Sequence, residues 1–111
     1  MSTRRKLISR SELREEVRAW AERIGAKPSR VHIQAMRTKW ASCSPLGRVT
    51  LSAELLREDR GFRDYVIAHE LVHLLVPNHG KVFKALMNIY VPSWSHLATG
   101  RASRRCGYAE V

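Results

Sequence analysis

The chain has 111 residues, 44% hydrophobic and 27% charged, and its 20 Lys and Arg against 10 Asp and Glu give a formal net charge of +10. That is apolar sequence enough for one core and too little for two, and it excludes a mainly disordered chain. No apolar run approaches the roughly 20 residues that span a bilayer, and the basic start MSTRRKLISR leads into a charged amphipathic stretch instead of the apolar centre of a secretory signal. A cytoplasmic monomer without membrane contact is the expectation. Cys43 and Cys106 are too few, and wrongly spaced, for a disulfide scaffold. Residues 1–40 carry 11 Lys and Arg against 4 Asp and Glu. Such a field attracts nucleic acid non-specifically, although it also reads as a plain solvated surface.

In chain order, a basic arm (1–8) precedes Ser9 and Glu12, which have the form of a helix capping box. Leu13, Val17, Trp20, Ala21 and Ile24 recur at helical spacing, and Gly25 and Pro28 stop that helix. Val31, Ile33 and Ala35 alternate with His32, Gln34 and Met36, which predicts a strand over 31–36. A small-residue segment, Ala41-Ser42-Cys43-Ser44, leads to a turn at Pro45-Leu46-Gly47, and residues 48–52 alternate as a second strand. The two strands are expected to pair as an antiparallel ribbon. Residues 53–56 suggest a helical turn and 57–61 a charged connector.

From Phe62 to Leu75 the apolar residues are dense and uninterrupted by Gly or Pro, which predicts a buried helix ended at Val76 by Pro77. Asn78 is placed to cap a further helix with Val82, Phe83, Leu86, Met87 and Tyr90 on one face, stopped at Val91-Pro92. Trp94 and Leu97 are anchors before a polar, Arg-rich tail (98–111), so a single domain is expected over 9–97.

The buried helix contains His69-Glu70-Leu71-Val72-His73, an HExxH motif. Positions i and i+4 lie one turn apart, so both imidazoles can converge on one ion. Three ionisable side chains inside an apolar helix are costly to bury without a partner, and a metal is such a partner. Zinc accepts imidazole nitrogen, and Glu70 is placed to act as general base on a water that the metal acidifies. His79, six residues after His73 and beyond a turn, is the candidate third ligand. That spacing equals the metzincin one, but Val76 stands where those proteins have glycine. A downstream glutamate ligand is disfavoured, since the only Glu after Glu70 is Glu110. His32 reads as a surface residue. His96 is a candidate oxyanion donor, and Tyr90 a further candidate that at helical spacing also suits the core.

Residues 38–44, Gly47, residues 65–73, Asn78-His79-Gly80 and Phe83 together resemble the YgjP-like metallopeptidase family, which is similar to the SprT and WLM zinc proteases. The resemblance runs over about residues 31–90, with Trp40-Ala41-Ser42-Cys43 standing for the family's WGSC and Lys84 where an aromatic often follows the Phe. It implies zinc on His69, His73 and His79, one ion per chain, and a catalytic Glu70. The ribbon of 31–36 and 48–52 is the candidate edge for an extended peptide. Trp40 either walls that cleft or closes the core, and Cys43 is either an inhibitory zinc ligand or, the favoured reading, a small core residue.

The expected fold is α+β: a minimal zincin-like domain with an N-terminal helix, a small antiparallel sheet, an HExxH helix and a following ligand-bearing helix. The expected activity is zinc-dependent hydrolysis of peptide bonds, with Trp40, Tyr90 and His96 as substrate-contacting candidates. Two alternatives are a zinc hydrolase of a non-peptide anionic substrate, which the lack of a Gly-rich phosphate loop disfavours, and a zinc-stabilised nucleic-acid-binding module, which would not require Glu70.

Overall fold

The computed structural model describes residues 7–97, with the backbone alone for His96 and Leu97, so the expectations for the arm before residue 7, the tail from 98 and the His96 side chain lie outside the described residues. The elements in order are α1 (Arg10–Ile24), β1 (Arg30–Gln34), β2 (Ala41–Cys43), β3 (Arg48–Ser52), a short 3-10 turn (Ala53–Arg57), α2 (Arg60–Leu75), α3 (Lys81–Tyr90) and α4 (Trp94–Leu97).

α1 follows from its local sequence. The Ser9 amide donates to Glu12 Oε1 at 2.8 Å and the Glu12 amide to Ser9 Oγ at 3.1 Å, which closes the capping box. Gly25 ends the helix at φ 82°, a conformation that costs glycine nothing. Its buried side chains are Leu13, Val17, Trp20, Ala21 and Ile24, the five that the periodicity selects.

The sheet departs from expectation. Its order is β1-β3-β2, with β1 parallel to β3 and β2 antiparallel to it, so it is mixed and the expected antiparallel ribbon of β1 and β3 does not form. The cause is a third strand. The small-residue segment forms β2, and the turn with Gly47 N donating to Ser44 O at 3.0 Å closes a β2–β3 hairpin. The chain runs along β1, returns along β2 and then inserts β3 between them, which makes β1 and β3 run the same way. Ile33, Ala41, Val49 and Leu51 are buried on one face, whereas Arg30, His32, Gln34 and Arg48 are exposed on the other.

α2 is buried through the stretch Tyr65–His73 and packs against both α1 and β2. It starts at Arg60, so the second half of the expected connector is its first turn, capped by Asp59 Oδ1 accepting from the Phe62 amide at 2.9 Å. Val76 is extended at φ −136° and ψ 102°, the geometry that a following proline demands. α3 begins later than expected. Asn78 does not cap it; its Oδ1 accepts from the Gly80 amide at 2.9 Å, and Gly80 holds the cap position. Phe83 and Met87 are buried on α3, Leu86 and Tyr90 are half-buried, and Val82, expected on the same face, is exposed.

Candidate metal centre

His69, Glu70 and His73 reach the interior because α2 is the central helix of the core. They are 4%, 0% and 8% exposed, respectively. Four residues separate the histidines, and their ring centroids lie 4.7 Å apart. His79 joins them from the turn that Pro77 and Asn78 create, with its ring 4.5 Å from His73 and 5.3 Å from His69. One nitrogen from each of the three lies within 4.8 Å of the other two. His73 Nε2 and His79 Nε2 are 2.8 Å apart.

Phe83 organises this trio. Its ring stacks on His73 at 4.8 Å and meets His69 and His79 edge-on at 5.0 and 4.8 Å. Trp94 packs behind it at 6.4 Å and donates from Nε1 to Asn88 Oδ1 at 2.7 Å. Sequence reasoning assigned Phe83 to the core alone; its place four residues after His79, within the family-like segment, was the available signal.

The protonation pattern suits a cation. His73 Nδ1 lies 3.3 Å from the Val76 carbonyl, which can only accept, so the proton sits on Nδ1 and Nε2 presents its lone pair. Burial, reinforced by His73 and His79, pushes His69 down to about 2, so its imidazole is neutral. Neutral imidazoles are what a divalent metal requires. Tetrahedral zinc with nitrogens at about 2.0–2.1 Å sets them about 3.3 Å apart, inside the 2.8–4.8 Å range found here. The donor set fits one ion after sub-ångström to ångström adjustments.

The remaining candidates fall elsewhere. Trp40 is 5% exposed and packs edge-on against Phe62 at 4.9 Å, so it closes the core and does not wall a cleft. Tyr90 packs half-buried against the core at the end of α3, and His32 is exposed on the outer face of the sheet. Cys43 lies half-buried on β2 and packs against the core, and burial, followed by the Glu70 charge, pushes its thiol up to about 12.

Two solved structures are similar to this chain in fold. The metallopeptidase zymogen jannalysin of Methanocaldococcus jannaschii is similar over 70% of this chain and 80% of its own, with 25% identity and a TM-score of 0.64. The metallopeptidase zymogen abylysin of Pyrococcus abyssi is similar in fold over 85% of this chain and 98% of its own, with 18% identity and a TM-score of 0.67. The fold is thus that of the small zincin-like metallopeptidases. The sequence matches the YgjP-like, metallopeptidase domain family over residues 3–99, nearly the whole chain, and the protein belongs to that family. Comparison with curated proteins yields no match.

Proposed function

We propose that this metallopeptidase is zinc-dependent, with His69, His73 and His79 holding the ion and Glu70 serving as general base and then general acid. The observation that carries the reading is the group of three imidazoles with ligand atoms within 4.8 Å, directly beside a fully buried carboxylate. When bound at three protein ligands, zinc supplies acidification of a water and polarisation of the scissile carbonyl. Glu70 takes the water's proton and delivers it to the leaving amine. Phe83, in contact with all three histidines, gives the site an apolar wall.

The sheet edges suggest where a peptide lies. β3 is central and has no free edge, which removes half of the expected ribbon. On β1, Arg14 and Arg10 donate to the Val31 and Ile33 carbonyls at 2.6 and 2.8 Å, so α1 covers that edge. β2 differs. Trp40 O accepts from Ser52 N and Ser44 N donates to Arg48 O, both at 2.9 Å, so alternate residues face β3 and the backbone of Ala41 and Cys43 turns to the outer edge. An extended peptide added there runs alongside the α2 site.

Glu70→Gln tests the reading. The variant is expected to keep one zinc per chain and to lose peptide hydrolysis at least about 100-fold, scored on a peptide library with metal analysis of the same sample. Undiminished turnover would remove Glu70 from the chemistry.

A further inference from the structure

The sheet has two unlike faces. Ile33, Ala41, Val49 and Leu51 bury the inner one, whereas the register sets Arg30 beside Arg48 and His32 beside Thr50 on the outer one. Arg30, His32 and Arg48 are exposed there. Arg30 and Arg48 are direct partners on strands about 4.8 Å apart, an arrangement that like charges make unfavourable. Neither forms an ion pair with a carboxylate among the described residues. The neighbouring sequence offers no relief, since residues 23–53 hold six Lys and Arg and no Asp or Glu. Two more guanidinia border β1, where Arg14 and Arg10 donate to the Val31 and Ile33 carbonyls at 2.6 and 2.8 Å. A carbonyl fixes a guanidinium without cancelling its charge, and each of these exposed side chains keeps further N–H donors. The nearby acids of α1 are engaged elsewhere, Glu15 and Glu22 with Arg18 and Glu16 with Arg63.

We propose that the outer face of the sheet, with Arg10 and Arg14 along its β1 edge, docks the phosphate backbone of duplex nucleic acid. Charge complementarity selects a polyanion. A five-residue strand runs about 17 Å, and duplex DNA carries about ten negative charges over that length. The planar guanidinium fork matches phosphate oxygens. The strands place no Phe, Tyr or Trp on this face, and Trp40 between them is buried, so no unpaired base finds a ring to stack on. The contacts are therefore with the backbone, independent of base sequence, and a single strand gains nothing over a duplex. The metal centre belongs to α2, which packs against β2 from the inner side, so this binding depends on neither zinc nor Glu70.

The test is fluorescence anisotropy of a short labelled DNA duplex of arbitrary sequence, titrated with the full-length chain. The parent is expected to bind with log K falling against log salt at a slope of about −3 or steeper, between about 50 and 200 mM salt. Arg30→Gln with Arg48→Gln is expected to weaken binding at least about tenfold at the low-salt end and to reduce the slope by about 2. Its Tm is expected to hold or rise, because two adjoining like charges are gone. Arg30→Lys with Arg48→Lys keeps the charges and is expected to retain most of the affinity. Lys81→Gln with Lys84→Gln removes the same formal charge from exposed positions on α3 and is expected to change binding by less than about threefold.

A glutamine pair on the sheet that binds as tightly as the parent, or a pair on α3 that loses as much, overturns the assignment of this face. A single strand bound more tightly than the duplex overturns backbone docking. Absence of duplex binding at about 50 mM salt, or binding of phosphatidylserine vesicles in preference to the duplex, overturns nucleic acid as the occupant.

Discussion

His79 enters the site from a turn and not from a helix, so its position depends on Pro77 ending α2 and on Asn78 holding the Gly80 amide at 2.9 Å. With Phe83 edge-on to it at 4.8 Å, the turn holds the proposed third ligand with few residues. His79→Ala is expected to weaken zinc binding by more than about 100-fold, above what loss of a ligand's outer hydrogen-bond partner costs, and His32→Ala to leave it unchanged. Competition with a fluorescent chelator measures both, and full-strength binding by His79→Ala would show that a different third ligand is used. Single residues were legible in the sequence where their chemistry depends on spacing along one helix. His69, Glu70 and His73 follow from a 3.6-residue period. The packing of β2 on α2 was not legible, because it depends on residues far apart along the chain.

The same division holds for whole elements. α1 could be read almost to the residue, since its capping box, its apolar stripe and Gly25 are all local signals. β2 is three residues long and made of Ala, Ser and Cys, so it carries too little alternation to be seen, and missing it reversed the inferred pairing of β1 with β3. Nor could the sequence show the clamp between α1 and α2. There the buried Arg63 guanidinium donates to the Glu16 carboxylate at 2.9 and 2.8 Å and to the Glu58 carbonyl at 2.6 Å, while Trp20 Nε1 donates to Asp64 Oδ1 at 2.9 Å. The Glu16 hydrogen bond is the main reason the Arg63 guanidinium is held above its usual range. Arg63→Ala leaves the Glu16 charge at a covered interface with the exposed Arg60 3.8 Å away and without the two Arg63 hydrogen bonds, and is expected to destabilise the fold by about 3 kcal/mol in urea unfolding. Replacing both partners, Arg63→Met with Glu16→Leu, is expected to recover most of that loss. A double variant no more stable than Arg63→Ala would show that the pair itself, and not the stranded charge, sets the energy.

At the scale of the whole molecule, His69 couples folding to protons, and the proposed ligand set couples it to metal. Among the described residues no helix is long and apolar enough to cross a membrane, and α2 instead spends its apolar surface on the core that encloses His69. His69 is held down to about 2 by burial first and by its two histidine neighbours next, whereas in the unfolded chain it titrates near 6.5. Between those values the unfolded state binds one more proton than the native state, so stability rises with pH across the window and this contribution is complete above about 6.5. Metal-free protein taken from pH 7.5 to 5.5 is therefore expected to lose about 1 kcal/mol from this group, which lowers Tm by several degrees in a domain of this size. His69→Phe, which keeps a ring in the place but cannot take up a proton, is expected to lose that part of the slope. Zinc at a large excess over its Kd is expected to raise Tm of the parent at pH 7.5, because it binds the folded state, and to do so far less in His69→Phe. Thermal scans of both proteins at the two pH values, with and without zinc, read all of this at once. A metal-free His69→Phe protein as acid-sensitive as the parent would mean that His69 is already protonated in the folded state, and the neutral donor set assigned to the centre would no longer hold.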